Sequence, residues 1–256
     1  TKAGEVEKEI RKLNPKDFKK NDFIKSVYSG QVYQVIEADK KGMAKLRNDV
    51  GSIEDWNAYN NAHFIPANKK DIEAFEEEIK RIEQEEKASA LAKANSEVDT
   101  NPTEAQKEAG NYKKGHLSAQ GFDISIENPA GSVRSGTDKS GKKWSVKLNN
   151  SYGYFRRTKG KDGDQIDVFL GDNLDSESVY VIDQVDPETG LFDEHKVMLG
   201  FNSAESAREN YLANYEPVWK GLGSMSKMSI DQFKEWLGDG TRTRKPVDNN
   251  VPVKKE

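Results

Sequence analysis

Between Lys69 and Glu97 the apolar residues of this chain change step. Ile72, Phe75, Ile79 and Ile82 recur at spacings of three and four among Glu and Lys, the period of one helix face. Short apolar runs broken by turn residues lie on either side, so three regions separate by pattern. Apolar residues make up 34% of the chain and charged residues 33%, which is lean for one compact core of 256 residues. Part of the chain is therefore expected to be exposed helix or tail. Asn68 is the expected N-cap of the helix, with Asp71 and Glu73 in its favourable first turns. The stripe fades after Ile82 into Glu85, Glu86 and Lys87 and then an alanine-rich stretch. The segment reads as a solvated linker helix, with a short coiled-coil or docking helix as the sharper reading.

From Phe18 to about Pro66 the runs are strand-like. Val27-Tyr28 precedes Ser29-Gly30, Val32 to Ile36 reads as a strand, and Lys40-Lys41-Gly42 marks the next turn. Met43 to Leu46 reads as a further strand, and Trp56, Tyr59, Phe64 and Ile65 supply bulk. Several short strands with close turns predict a small SH3-like β-barrel, of a size that folds alone only marginally.

Ser96 to Pro102 is polar and ends in Asn101-Pro102, a domain boundary. A β-rich stretch follows from Phe122 to about Phe201. Two helices are expected after it, Ala204 to about Leu212 capped by Ser203, and Asp231 to Leu237 after Ser229 and before Gly238-Asp239-Gly240. The tail after Thr241 reads as disordered.

The net charge is −4 with both signs interspersed, which argues against a dedicated nucleic-acid binder. The chain has no cysteine, so disulfides, thiolate metal sites and cysteine nucleophiles are excluded. A reducing, cytoplasmic setting is expected. No run approaches the roughly 18 apolar residues of a membrane span, and the polar start at Thr1 shows no secretory signal. A start without methionine fits excision from a longer chain.

The most informative segment is Tyr152 to Gly171, YGYFRRTKGKDGDQIDVFLG. Tyr152 to Thr158 reads as a strand, Lys159 to Asp164 as a turn and Ile166 to Leu170 as the return strand. Ile166, Val168 and Leu170 share one face, which puts Asp167 on the other. Asp162, Asp164 and Asp167 are thus expected to converge. Close carboxylates raise one another's pKa unless cations hold them ionised, and hard oxygen ligands suit magnesium. The plainer reading is an Asp-Gly hairpin turn with solvated acids. An EF-hand loop is excluded, because Ile166 occupies a ligand position of that pattern.

This segment resembles the signature of the family I inorganic pyrophosphatases, an Asp-Gly-Asp followed by a hydrophobic residue and another Asp, here Asp162-Gly163-Asp164-Gln165-Ile166-Asp167-Val168. Gln165 replaces the family's proline. The family's Tyr-Gly-Tyr stands upstream as Tyr152-Gly153-Tyr154. The resemblance implies a closed β-barrel with flanking C-terminal helices and extends outward to Glu127, a metal- or water-binding Glu, and Arg134, a phosphate ligand. It places Gly136 where the family has a second Glu, and Lys147 where it has a phosphate-binding Arg. Downstream it matches Asp186, Gly190, Glu194 and Lys196, with Asp193 competing with Glu194 for the second acidic role. Tyr215 matches a family Tyr, Glu216 departs from the Lys that follows it, and Lys220, one helical turn on, is the substitute. The resemblance covers roughly Glu127 to Trp219. The sequence also looks like divergent pyrophosphatase-type domains embedded in large multidomain proteins of phages and conjugative elements.

What this implies is Mg2+-dependent hydrolysis of a phosphoanhydride, pyrophosphate or a nucleotide bearing a diphosphate. Metal ions would be held by Asp162, Asp164, Asp167, Asp186 and Asp193 or Glu194, together with Glu127. Asp164 would take the proton from the attacking water. Arg134, Lys147, Lys196, Tyr215 and Lys220 would bind phosphate, and Tyr152 would hydrogen-bond a carboxylate or phosphate oxygen. Gly136 and Glu216 motivate an alternative, a non-catalytic module that binds nucleotide or protein. Family relatives often form oligomers, which leaves a homo-oligomer open, and a third reading gives the N-terminal barrel a protein- or nucleic-acid-binding function. His63, His116 and His195 are scattered, and His195 is read as a plain strand histidine rather than a site residue.

The expected architecture is α+β, mainly β. It comprises a small barrel over 1–67, a charged linker helix over 68–99, the pyrophosphatase-like domain over 100–240 and a flexible tail over 241–256.

Overall fold

The structure is a computed structural model that describes residues 17–39, 41, 43–57, 64–137, 141 and 143–247. Among these residues it is mostly β with four α-helices, an α+β fold. The chain divides into two compact units, residues 1–86 and 87–256.

In the first unit β1 (Phe23–Ser26), β2 (Val32–Ala38), β3 (Met43–Asn48), β4 (Ile53–Asn57) and β5 (Phe64–Pro66) form one antiparallel sheet in the order β4-β3-β2-β1-β5. The two-residue period decides which side chains turn inward. Ala44 and Leu46 on β3 are buried with Ile24, Val35 and Phe64, while Met43 remains exposed. Phe64 is the hub, meeting Phe18, Tyr33 and Trp56 edge-on at 5.7, 5.9 and 5.2 Å between ring centres. Tyr59, Lys40, Gly42 and His63, singled out in the sequence, lie outside the described residues.

Helix α1 (Lys69–Ser96) begins where the cap predicts, with the Asp71 amide donating to Asn68 Oδ1 at 3.0 Å. It is less solvated than its charge implies. In the first unit Phe75 and Ile79 are buried against Val32, with Phe23 and Ala67 alongside. In the second unit Ala94 is buried in the core cluster that includes Val98 and Leu117. The alanine-rich end looked featureless in sequence because a small side chain carries no amphipathic signal, yet it is what a close backbone approach requires.

After the end of α1 the second unit continues with the short helix α2 (Glu104–Glu108), held by a reciprocal Thr103–Gln106 capping box. Strands β6 (Gly115–Ala119) and β7 (Phe122–Asn128) precede a separate two-stranded ribbon, β8 (Val133–Thr137) and β9 (Lys143–Lys147). Strands β10 (Ser151–Phe155), β11 (Asp167–Leu170), β12 (Ser178–Val185), β13 (Phe192–Leu199) and β14 (Leu222–Ser229) complete a seven-stranded sheet in the order β14-β12-β13-β11-β10-β7-β6. All pairings are antiparallel except β11 with β13. The order has two ends, β14 and β6, so these pairings form an open sheet and do not by themselves close the expected barrel.

Both faces of this sheet are covered. Ile124, Ile126, Val168, Val181, Val197 and Leu199 pack on one side with Phe233 and Trp236 of α4 (Ile230–Gly238). Tyr152, Phe169, Tyr180, Ile182 and Met198 pack on the other with Ala207 and Tyr211 of α3 (Ala204–Ala213). Caps at Ser203 and Ser229 start the two helices as predicted.

The segment expected as a flexible tail begins in packed structure. A 3-10 turn at Arg242–Arg244 buries Thr243, and Val247 is buried in the core of the second unit. The reason is polar as well as apolar: the Val247 amide donates to Asp183 Oδ1 at 3.0 Å, and Thr243 Oγ1 donates to the Lys159 carbonyl at 2.7 Å. Residues 248–256 lie outside the described residues.

Candidate functional site

On the α3 face of the large sheet, three adjacent strands bring polar groups together among apolar ones. Asp167 on β11 is in register with Lys196 on the parallel β13 and with Tyr154 on the antiparallel β10. Strand alternation puts Val168 and Leu170 in the opposite core, so Asp167 lies on the other face, as predicted, and that face is α3's side. Gly153 in Tyr152-Gly153-Tyr154 has a local cause: a Cβ there would stand 1.9 Å from the Ser125 carbonyl oxygen of β7.

Lys196 is the centre of the cluster, with a side chain only 3% exposed. Its ammonium binds Asp167 Oδ2, lies 2.9 Å from Glu194 Oε2 and donates to the Tyr152 hydroxyl at 3.1 Å. Tyr152 in turn donates a hydrogen bond to Asp167 Oδ2 at 2.5 Å. The Arg134 guanidinium lies 4.3 Å from the centre of the Tyr152 ring and 5.5 Å from that of Trp144, a cation between two aromatic faces.

Burial works against charge on Lys196, but Asp167, Tyr152 and nearby acids outweigh it and hold the ammonium well above its ordinary pKa. Burial pushes the Tyr152 phenol up, and Asp167 adds to the shift. Burial also raises Glu194 against the opposing pull of Lys196.

Glu194 and Lys196 lie on one face of β13, and Asp193 and His195 on the other. That face rule chooses Glu194 over the exposed Asp193 as the acid beside Lys196. His195 turns away, 3.0 Å from Asp183 Oδ1 and packed edge-on against Trp236.

A second pair occupies the same face of the sheet. Glu127 Oε1 is 2.8 Å from the Lys114 ammonium and accepts from the Tyr112 hydroxyl at 3.3 Å. Lys114 also donates to the Tyr154 hydroxyl at 3.3 Å and stands 5.0 Å from the ring centres of Tyr112 and Tyr154. Burial, with Glu127 adding to it, pushes the Tyr112 phenol up to about 12. Sequence reading stopped at Glu127 and so missed Tyr112 and Lys114. A tyrosine two positions before a lysine, Tyr112 and Lys114, was the only local signal, and Tyr154 joins them from a distant strand.

The other expected residues are distributed differently. Asp162 and Asp164 lie in the exposed turn between β10 and β11, where Asp162 Oδ1 accepts the Asp164 amide at 3.0 Å. Asp186 Oδ1 caps the β12–β13 turn, accepting the amides of Glu188 and Thr189 at 2.9 and 3.1 Å. Among the described residues, no three acidic or histidine side chains group tightly enough to hold a metal ion. The convergence of Asp162, Asp164 and Asp167 expected from the hairpin is therefore absent in this arrangement. Lysine, not a third carboxylate, stands between Asp167 and Glu194.

Lys147 pairs with Val133, on the opposite face of the β8–β9 ribbon from the Arg134–Val146 pair, and is exposed. The ribbon thus separates the two expected phosphate ligands. Gly136 pairs with Trp144, and a Cβ at Gly136 would meet Trp144 Cζ2 at 2.7 Å. The indole fills the space of the carboxylate that the family resemblance anticipates there.

Helix α3 ends at Ala213, so the argument that Lys220 lies one helical turn beyond Glu216 does not hold; Lys220 is exposed outside the helix. Pro217 disfavours helix at Glu216. Tyr215 stacks on Trp219 at 4.6 Å and 8° and donates its hydroxyl proton to Gln184 Oε1 at 2.8 Å, so that proton is committed within the protein.

A family model described as Inorganic Pyrophosphatase matches residues 104–238. The match takes in α2, Tyr112 and Lys114 and begins upstream of the Glu127 limit set by the sequence resemblance. A crystal structure of an inorganic pyrophosphatase from Neisseria gonorrhoeae matches at 18% identity, covering 48% of this chain and 92% of that one, with a TM-score of 0.29. Comparison with curated proteins finds none that matches.

Proposed function

Because the chain belongs to the inorganic pyrophosphatase family, we propose that its second unit hydrolyses a phosphoanhydride, with inorganic pyrophosphate giving two phosphates as the reference reaction and Mg2+ as cofactor. The observation that carries this reading is the buried Lys196, ion-paired to Asp167 and Glu194 and hydrogen-bonded to Tyr152. Cations and carboxylates on one sheet face are the equipment for holding a polyanion whose bridging bond is to be broken.

The donor chemistry suits magnesium. Asp162, Asp164, Asp167 and Glu194 offer hard oxygens, and magnesium typically takes one or two carboxylates with waters and substrate phosphate, without a preformed all-protein cage. Bound magnesium supplies Lewis acidity and neutralises phosphate charge. In the proposed scheme Lys196 and Arg134 neutralise and orient the phosphate groups. Tyr152 keeps Asp167 oriented through its donated proton. Asp164, exposed at the turn, takes the proton of the attacking water.

The packing of Trp144 over Gly136 favours one second reading, a binding module that has given up a carboxylate for an aromatic wall. Phosphate release from pyrophosphate, nucleoside triphosphates and guanosine tetraphosphate, each with and without Mg2+, separates the two. Magnesium-dependent release from any of these supports the hydrolase; binding without release on all of them supports the module.

A further inference from the structure

Gln184 is buried on β12 and sits opposite Glu194 in the β12–β13 ladder. Its amide is bonded at both the nitrogen and the oxygen. Nε2 donates to Glu194 Oε1 at 2.9 Å, and Oε1 accepts the hydroxyls of Tyr211 and Tyr215, each at 2.8 Å. The direction of these bonds is fixed at both ends. The Trp219 indole, a donor only, gives its hydrogen to the Tyr211 oxygen at 3.0 Å, so the Tyr211 proton points on to Gln184. An ionised Glu194 is an acceptor only, so the amide nitrogen must face it. A flipped amide would set oxygen against oxygen. The second Glu194 oxygen lies 2.9 Å from the Lys196 ammonium.

We propose that Gln184 is a positioning residue that holds the Glu194 carboxylate toward Lys196 and ties it, through Tyr211, Tyr215 and Trp219, to the aromatic segment at the end of α3. Trp219–Tyr211–Gln184–Glu194 is one directed series of donors in a buried setting, where each bond polarises the next, and it ends on a carboxylate that also accepts from Lys196. A glutamine suits this position because it accepts twice on one side and donates on the other. Glutamate keeps the first property and loses the second; methionine loses both. The kinetic consequence rests on the hydrolase reading, whereas the hydrogen-bond relay does not.

Two variants of the full chain, Gln184→Glu and Gln184→Met, test the proposal with two readouts. The first is the indole N–H resonance of Trp219, identified by its loss in Trp219→Phe. It should stay near its wild-type position in Gln184→Glu, which still accepts from Tyr211, and move in Gln184→Met, which does not. The second is phosphate release. Gln184→Met loses the donor to Glu194, and its kcat should fall about 10- to 100-fold, the usual cost of removing an outer partner of a site carboxylate, with KM changed less than about threefold.

An indole resonance unmoved in Gln184→Met, or a wild-type kcat in that variant, overturns the proposal. If wild-type protein releases no phosphate, the hydrolase reading falls and the resonance alone decides the relay. If Gln184→Met does not fold, Tyr215→Phe replaces it, and the Gln184 side-chain amide resonances must then shift; unshifted amide resonances overturn the proposal.

Discussion

Asp167 and Lys196 are register partners on adjacent parallel strands, and the ammonium of one closes on the carboxylate of the other. A parallel neighbour this far along the chain cannot be reached through a hairpin. The pair therefore depends on the whole crossover through β12, and it links the aspartate signature to the lysine nearly thirty residues later.

The alkaline limb of stability follows from this pair and its tyrosine. Tyr152 and Lys196 both have folded pKa values raised above their ordinary 10.0 and 10.5. The folded state then holds protons that the unfolded chain releases, so their contribution is complete below pH 10 and is lost as pH rises through the raised values. Urea unfolding at pH 8, 10 and 11 should show stability falling above pH 10, with a shallower fall in Tyr152→Phe. Equal slopes in the two proteins would refute the linkage.

Gly136 and Trp144 should behave as a unit. Gly136→Ala puts a Cβ 2.7 Å from the indole, and such overpacking costs about 1–3 kcal/mol. In a Trp144→Ala background the same change should cost less than about 0.5 kcal/mol, the usual range for a substitution that meets no packed neighbour. A full penalty in both backgrounds, measured by denaturant unfolding, would show that the ring is not the obstacle.

Phe75 tests whether α1 is more than a charged connector. It is 4% exposed and packs with Ile79 and Val32, so Phe75→Ala should destabilise the first unit by about 3–5 kcal/mol. A change under 1 kcal/mol in thermal or urea unfolding would return α1 to the solvated helix that its Glu and Lys content implies.

These cases show what was legible in the sequence. The β10–turn–β11 hairpin, the inward face of Asp167 and the caps at Asn68, Ser203 and Ser229 are local in origin, set by strand alternation and by side chains reaching two or three residues away. The contest between Asp193 and Glu194 needed only one further fact, that Lys196 shares the Glu194 face. Lys147 was matched by resemblance alone, and its place on the ribbon face opposite Arg134 depends on the β8–β9 register, which the sequence does not show. The end of α3 near Leu212 was legible and holds, and placing Lys220 one helical turn beyond Glu216 ignored it. Lys114, Tyr112 and Gln184 were not readable, because their partners are chosen by strand order and register across the sheet. The clustering of Asp162 and Asp164 with Asp167 was inferred from chain proximity alone, and the exposed turn holds them apart.

The most direct measurement is phosphate release from pyrophosphate by wild-type and Asp167→Asn protein, with and without magnesium. Asparagine keeps the shape and the Tyr152 contact but removes the charge that Lys196 neutralises. Magnesium-dependent release by the wild type, falling by about 100-fold or more in the variant, is the predicted result. Release at the same rate from both proteins would contradict the assignment of this site.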